Sequence, residues 1–210
     1  MQKAWPDTPV QHESDWRNKM KIYKLGEEVL RKKAVPVQPE EINDSLRETF
    51  NEMFETMLEA DGVGLAAPQI GDSRRYFVII SDDDVRRVFI NPQIISTSND
   101  LCDYDEGCLS LPGFNETIKR PSKVTVQALN ENGKPFTLDA EGLLARIIQH
   151  EYDHLEGIMY IDRGDPNFAA DVTEKMKKRL ERAAKKEAEK ARKAASIAAK
   201  IAAKEAKKNK

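Results

Sequence analysis

EGLLARIIQHEYDHLE, residues 141–156, is the stretch on which the fold of this 210-residue chain turns. After Gly142 it holds neither glycine nor proline, and Leu143, Leu144, Ile147 and Ile148 recur at helical spacing, so it predicts a helix apolar enough to be buried. The same helix carries His150, Glu151 and His154. Residues i and i+4 share a helix face, so both imidazoles can reach one ion, with Glu151 beside it. A glutamate there can take a proton from water and pass it to a departing amine. Two histidines at this spacing also occur on helices that bind nothing. The apolar flanks argue for an ion, because three ionisable groups in an apolar helix need a partner to offset their desolvation.

Upstream of this helix, RRYFVIIS, RRVFINPQIIS, KVTVQALN and KPFTLDAEG have the composition of strands, and NENGK joins the last two as a hairpin turn. Residues 39–60 place Ile42, Leu46, Phe50, Met53, Phe54, Met57 and Leu58 at helical spacing behind acidic first-turn residues, which predicts an amphipathic helix. DGVGLAAPQIG, which follows, is too rich in glycine and proline for regular structure. No βαβ repeats occur. The expectation is an α+β fold: mostly antiparallel sheets packed around a central metal-binding helix, with an N-terminal amphipathic helix and a projecting C-terminal helix.

The chain suits one domain of ordinary size. It is 33% charged, and the charge is uneven. Residues 171–210 carry 15 Lys or Arg against 6 Asp or Glu, leaving 19 basic against 30 acidic residues in 1–170. This divides the chain into a loose extension over 1–19, a catalytic domain over 20–165 and a basic Ala/Lys-rich helical tail over 166–210, with Ile197 and Ile201 as a thin apolar stripe. No run of 18 apolar residues exists, and the N-terminus lacks the pattern of a secretory signal, so no membrane span and a cytoplasmic location are expected.

A catalytic metal of this kind takes three protein ligands and keeps one position open. Position 160 would complete a metzincin pattern but is Tyr. Cys108, in the glycine- and proline-bounded run YDEGCLSLPG, offers a thiolate for a soft divalent metal; Glu174, 20 residues beyond His154, is the alternative. Cys102 sits among polar residues as a free thiol. Two further function classes stand beside a metallohydrolase. One is a metallopeptidase using His150, His154 and Glu174; the other is a ribosome or RNA adaptor with a structural metal.

GVGLAAPQIG at 62–71, EGCLS at 106–110 and QHEYDHLEG at 149–157, in this order and spacing, together resemble the peptide deformylases. IYKLGEEVLRKKAVPV, at 22–37, is similar to the family's first strand and turn. The resemblance covers roughly residues 20–165 of the chain. It implies that the metal ligands are Cys108, His150 and His154, that Glu151 is general base and acid, and that Gln69 helps bind the developing oxyanion. It further implies removal of the formyl group from the N-terminal formyl-methionine of newly made polypeptides, with iron(II) as the native ion. By donor chemistry alone zinc, nickel or cobalt suit the same ligands.

The residues themselves are compatible with that activity. A formamide carbonyl under attack becomes an oxyanion, for which the Gln69 amide and the backbone N–H of Leu109 can be donors. Val63 and Gly64 can pair in strand fashion with an extended peptide, and Gly107 can flank the same groove. Leu143 and Ile147 can line a pocket for the first side chain, which the resemblance implies is methionine. Each has a plainer alternative: loop glycines, a loop amide capping backbone groups, ordinary core. Asp153 reads as structural, and Arg120 can pair with Glu106. The basic tail suits an anionic partner, and rRNA on the ribosome is the one expected; a solvated helix is the plainer alternative.

Overall fold

Strand β2 (Tyr76–Ile80) alternates its side chains between two cores. Phe77 and Ile79 pack on one face with Ala145, Ile147, Ile148 and Leu155 of helix α2 (Gly142–Leu155). Tyr76 and Val78 pack on the other with Leu46, Phe50, Met53, Phe54 and Met57 of helix α1 (Asp44–Glu59). A strand covered on both faces reads as a continuous apolar run, which is why YFVII shows no polar alternation. The computed structural model describes residues 20–208, with side chains through residue 196 and at 198. The extension expected over 1–19 and the stripe of Ile197 and Ile201 lie outside the described residues.

Five antiparallel strands, β1 (Gly64–Ala66), β2, β3 (Arg86–Thr97), β6 (Lys123–Leu129) and β7 (Pro135–Glu141), form one sheet in the order β1-β2-β3-β6-β7. A separate two-stranded sheet pairs β4 (Leu101–Cys108) with β5 (Leu111–Pro121). With α1, α2 and a third helix, α3 (Pro166–Lys208), the architecture is α+β with antiparallel sheets. Pro92, which has no N–H for the ladder, falls where the β3–β6 register shifts between Ile90 and Gln93. Beside it Asn91 takes φ 51° and clasps both the N–H and the C=O of Val37 with its side-chain amide.

Four expectations are corrected. Helix α1 begins at Asp44 rather than near residue 39. Pro39–Glu41 closes its own short 3-10 turn, and Asn43 must be extended to cap the helix, its side chain accepting from Leu46 N–H at 3.2 Å. Leu58 is exposed, so the apolar stripe ends at Met57. GVGLAAPQIG is regular after all: Gly64–Ala66 is strand β1 and Ala67–Ile70 a 3-10 turn, because local glycine and proline content says nothing of the long-range pairing with Phe77–Ile79. Residues near 22–25 form no strand. Their N–H groups bond loop carbonyls instead, Tyr23 to Gln69 and Leu25 to Ser110.

Strand β7 runs into α2 without a loop, at Gly142, whose φ of 59° turns the chain in one residue. The far end of α2 closes at Gly157, with φ 74°. Its N–H bonds His154 O at 3.2 Å and the next N–H bonds Asp153 O at 2.9 Å, the pattern of a Schellman stop. Val172 and Met176 of α3 are buried against β5 and the turn at Tyr160–Arg163, whereas positions 181–196 are exposed throughout. Among the described residues no helix is long and apolar enough to cross a membrane.

Candidate metal centre

Helix α2 and the end of β4 meet so that the ligand atoms of Cys108, His150 and His154 lie within 4.8 Å of one another, with Cys108 Sγ 3.3 Å from His154 Nε2. The register of β4 and β5 shifts here: Gly107 faces Asn115, but Cys108 faces Leu111. The strand therefore ends in a tight turn through Leu109 and Ser110, directed at the helix.

Below the cluster lies a buried ionic floor. Glu106 accepts from Arg120 Nε at 2.6 Å and a second Arg120 nitrogen at 2.9 Å, from Arg146 at 2.7 Å, and contacts His150 Nδ1 at 2.8 Å. Burial works to raise the Glu106 carboxyl, but the hydrogen bonds from His150 and Arg120 outweigh it and hold it well below the usual carboxylate range. A carboxylate on Nδ1 leaves His150 Nε2 for the cluster, the arrangement that orients imidazoles toward metals. Asp153 accepts from Arg120 at 2.6 Å and from Arg163 as well. The pairing of Arg120 with Glu106 is thus present, and Asp153 belongs to the same network.

The charges converging on the cluster suit a divalent cation. Burial lowers His150, yet its hydrogen bonds to Cys108 and to the Glu106 carboxylate reverse the sign and hold it well above the usual imidazole range. His154 is held well below that range by burial and by His150, which leaves it neutral with a lone pair to donate. One cysteine sulfur and two imidazole nitrogens are a donor set that fits Zn²⁺ or Fe²⁺. Among the described residues this is the group able to share an ion. Glu174 is not in it: it is exposed on α3 and paired with Lys178 at 3.1 Å, which removes the metallopeptidase ligand set.

Glu151 is buried beside the cluster, and its Oε2 has no hydrogen-bond partner among the described residues. Burial pushes its carboxyl up to about 7. Strand β1 passes directly over it at Gly64, where a Cβ would come within 2.8 Å of the Glu151 carboxyl carbon. Gln69, on the 3-10 turn after β1, is fixed in orientation: its Oε1 accepts from Ala66 N–H at 2.7 Å, so its Nε2 faces Ser110 Oγ at 3.2 Å and Cys108 Sγ at 3.5 Å. Val63, half exposed, immediately precedes β1, the edge strand of its sheet, and its carbonyl accepts from Ile80 N–H at 3.0 Å. Gly107 is exposed beside Asn115. The Leu109 side chain packs with the α1 core. Ile147 is buried between α2 and the sheet, with Leu143 at the margin of the same cluster, so packing alone accounts for both.

Three neighbours of the site escape a reading of the sequence. Ser110 N–H points at Cys108 Sγ at 3.4 Å, and its hydroxyl meets Gln69. Tyr160 stacks on His150, ring centroids 5.9 Å apart, and anchors its hydroxyl to Phe114 O at 2.8 Å. Arg146 joins Glu106 to Cys102 O and Ile118 O. Ser110 is the last residue of the EGCLS motif, and that membership was a signal; the other two depend on tertiary contacts alone.

The family model of polypeptide deformylase matches residues 19–170. Peptide deformylase 1 of Clostridium perfringens is 52% identical over 137 residues, covering 65% of this chain and 91% of that protein. The crystal structure of a peptide deformylase from Legionella pneumophila superposes with TM-score 0.71 at 43% identity, covering 79% of this chain and 99% of that one. That of a peptide deformylase from Synechococcus elongatus in complex with actinonin gives TM-score 0.72 at 40% identity, covering 82% and 94%.

Proposed function

The chain belongs to the peptide deformylase family, metal-dependent hydrolases that remove the N-formyl group from nascent peptides, and from that premise we propose which of its residues carry the reaction. Cys108, His150 and His154 hold one divalent metal. The observation that carries this assignment is the convergence of the three ligand atoms within 4.8 Å above the Glu106 floor. Bound there, the metal supplies Lewis acidity toward the formyl carbonyl and toward water.

The remaining work falls to the protein's side chains and backbone. Glu151 takes a proton from the attacking water and delivers it to the leaving α-amine, so the products are formate and a free N-terminus. Its carboxyl, raised to about 7 by burial, is poised for both halves of that transfer near neutral pH. Gln69 Nε2, held in orientation by Ala66 N–H, donates to the oxygen that gains charge as the formyl carbon becomes tetrahedral, and Leu109 N–H is the second donor. The free edge of β1 receives the peptide backbone as an added strand at Val63 and Gly64, flanked by Gly107. Leu143 and Ile147 border the pocket for the methionine side chain. Iron(II) is the native ion, with zinc, nickel or cobalt able to replace it in the same donor set.

The protein acts in the cytoplasm, and the exposed half of α3 meets rRNA electrostatically. Residues 184–210 carry 10 Lys or Arg against 3 acidic residues, which supports the tail as the contact. Because Met176 is buried, a test of the tail removes 184–210 and leaves the docked turns of α3 in place. Ribosome co-sedimentation at two salt concentrations should lose its salt-dependent part.

The decisive assay measures formate released anaerobically from a formyl-methionyl peptide with added iron(II), comparing wild type with Glu151→Ala. Activity should fall by about 10²–10⁴-fold, the share of a positioned proton carrier. A variant retaining wild-type turnover would remove Glu151 from its role.

A further inference from the structure

The segment Tyr23–Leu25 ties together the two loops that flank Cys108. Tyr23 N–H bonds Gln69 O at 2.7 Å, Lys24 Nζ bonds Leu109 O at 2.7 Å, and Leu25 N–H bonds Ser110 O at 3.0 Å. The Tyr23 ring lies on Gly71, where a Cβ would come within 2.6 Å of it, and Leu25 is buried beside Cys108. Glu27 fixes the segment in turn, accepting from Lys24 N–H at 2.6 Å.

Within this clasp the Lys24 side chain has a particular target. The carbonyl it holds belongs to the Leu109–Ser110 peptide, and the N–H of that same peptide points at Cys108 Sγ at 3.4 Å. The peptide plane is rigid, so fixing its oxygen fixes its N–H. A cation on the oxygen also polarises the peptide and strengthens the hydrogen bond its N–H donates. Lys24 is partly buried and its ammonium is engaged by Leu109 O, on the turn after Cys108, whereas the peptide-binding edge proposed above is β1. Its effect therefore reaches the reaction through the cysteine.

Building on the assignment of Cys108 as a metal ligand, we infer that Lys24 is a positioning residue of the deformylation site: its ammonium orients and polarises the Leu109–Ser110 peptide so that Ser110 N–H draws electron density from the Cys108 thiolate. A thiolate so restrained donates less charge to its metal, which keeps the metal a stronger Lewis acid.

The test compares wild type, Lys24→Met and Lys24→Arg, each loaded with cobalt(II), by the thiolate-to-cobalt charge-transfer band and by steady-state kinetics on a formyl-methionyl peptide. Lys24→Met should move the band to longer wavelength and lower kcat by about tenfold, the scale of one charge-assisted hydrogen bond, with KM within about twofold. Lys24→Arg, which keeps a cationic donor, should restore most of both. Should Lys24→Met not fold, Lys24→Gln carries the same comparison. A wild-type band that Lys24→Met leaves in place, a loss confined to KM, or an Arg variant no better than Met would each overturn the inference. A wild type with no thiolate band would overturn the ligand assignment itself, and this inference with it.

Discussion

Glu106 and Glu189 are the same side chain in two regions of one molecule, and the contrast shows what holds the site together. Glu106 lies under the candidate metal centre, 3% exposed, bonded to Arg120, Arg146 and His150. Glu189 lies on the outer half of α3, 65% exposed, bonded to Lys193 at 2.6 Å. The distances alone would not separate them. Water does: an exposed pair trades hydration for a contact of similar worth, whereas a buried charge has no alternative partner. The floor is thus a set of mutually dependent charges, and the tail a series of independent ones.

The largest effect expected from this contrast follows from Glu106→Gln. It keeps the shape and removes the charge, leaving Arg146 without its counter-ion, Arg120 with Asp153 alone, and His150 without its carboxylate. Denaturant unfolding of the variant should show a loss of about 3–5 kcal/mol, the range for breaking one member of a buried ionic group. A loss near that of an exposed pair would erase the distinction.

Glu151 sharpens the contrast from the other side, since it is buried near the same floor but has an unpartnered carboxylate oxygen. Its folded value, about 7, lies above the ordinary 4.5. The folded state therefore binds the proton more tightly than the unfolded chain; the associated stability is fully present below about 4.5 and is lost as pH rises through 7. Glu151→Gln does not titrate there. After metal removal by chelation, the variant should exceed wild type in stability at pH 8 by up to about 3 kcal/mol, and the gap should close toward pH 4.5. Thermal unfolding across that range checks it, and a gap that does not change with pH would contradict the assignment of a buried, raised carboxyl.

How far the sequence discloses the two regions follows the same division. Helix α2 and strands β2, β3, β6 and β7 are legible because periodicity and apolar runs are local properties. Strand β1 and the pairing of β4 with β5 are not, since Gly64 gains its strand from Ile79 and Glu106 faces Glu116 across a hairpin with a register shift at Cys108. In the site, Cys108, His150 and His154 stand out by donor chemistry. Lys24 does not, because its partner Leu109 is 85 residues away and nothing in IYKLGEE marks a lysine as facing inward. Alanine and lysine in α3 announce a helix, but not that its first turns dock through Val172 and Met176 while positions 181–196 stay in solvent.

Crowding over the site gives a third and smaller effect. Gly64→Ala places a methyl group against the Glu151 carboxyl without changing any charge. Either the carboxylate or β1 must shift, and a misplacement near 1 Å costs about 10²-fold in rate when geometry is the source of catalysis. kcat/KM on a formyl-methionyl peptide should fall by about that factor. A variant as active as wild type would mean that the carboxylate has room the packing does not show.

The smallest effect is the one that tests the other arm of the comparison. Glu189→Ala removes the partner of Lys193 on an exposed i,i+4 pair and substitutes a residue of higher helix propensity. The lost pair is worth about 0.3–0.5 kcal/mol and the gain in propensity offsets part of it, so global stability should change by less than about 0.5 kcal/mol in either direction. Added salt should shrink even that difference, because the charges lie in reach of screening ions. Unfolding measured at low and high ionic strength decides the point. A loss of several kcal/mol would mean that the outer half of α3 is bound into the fold through partners comparable to those of Glu106, and that the tail is part of the cooperative unit rather than an arm extended from it.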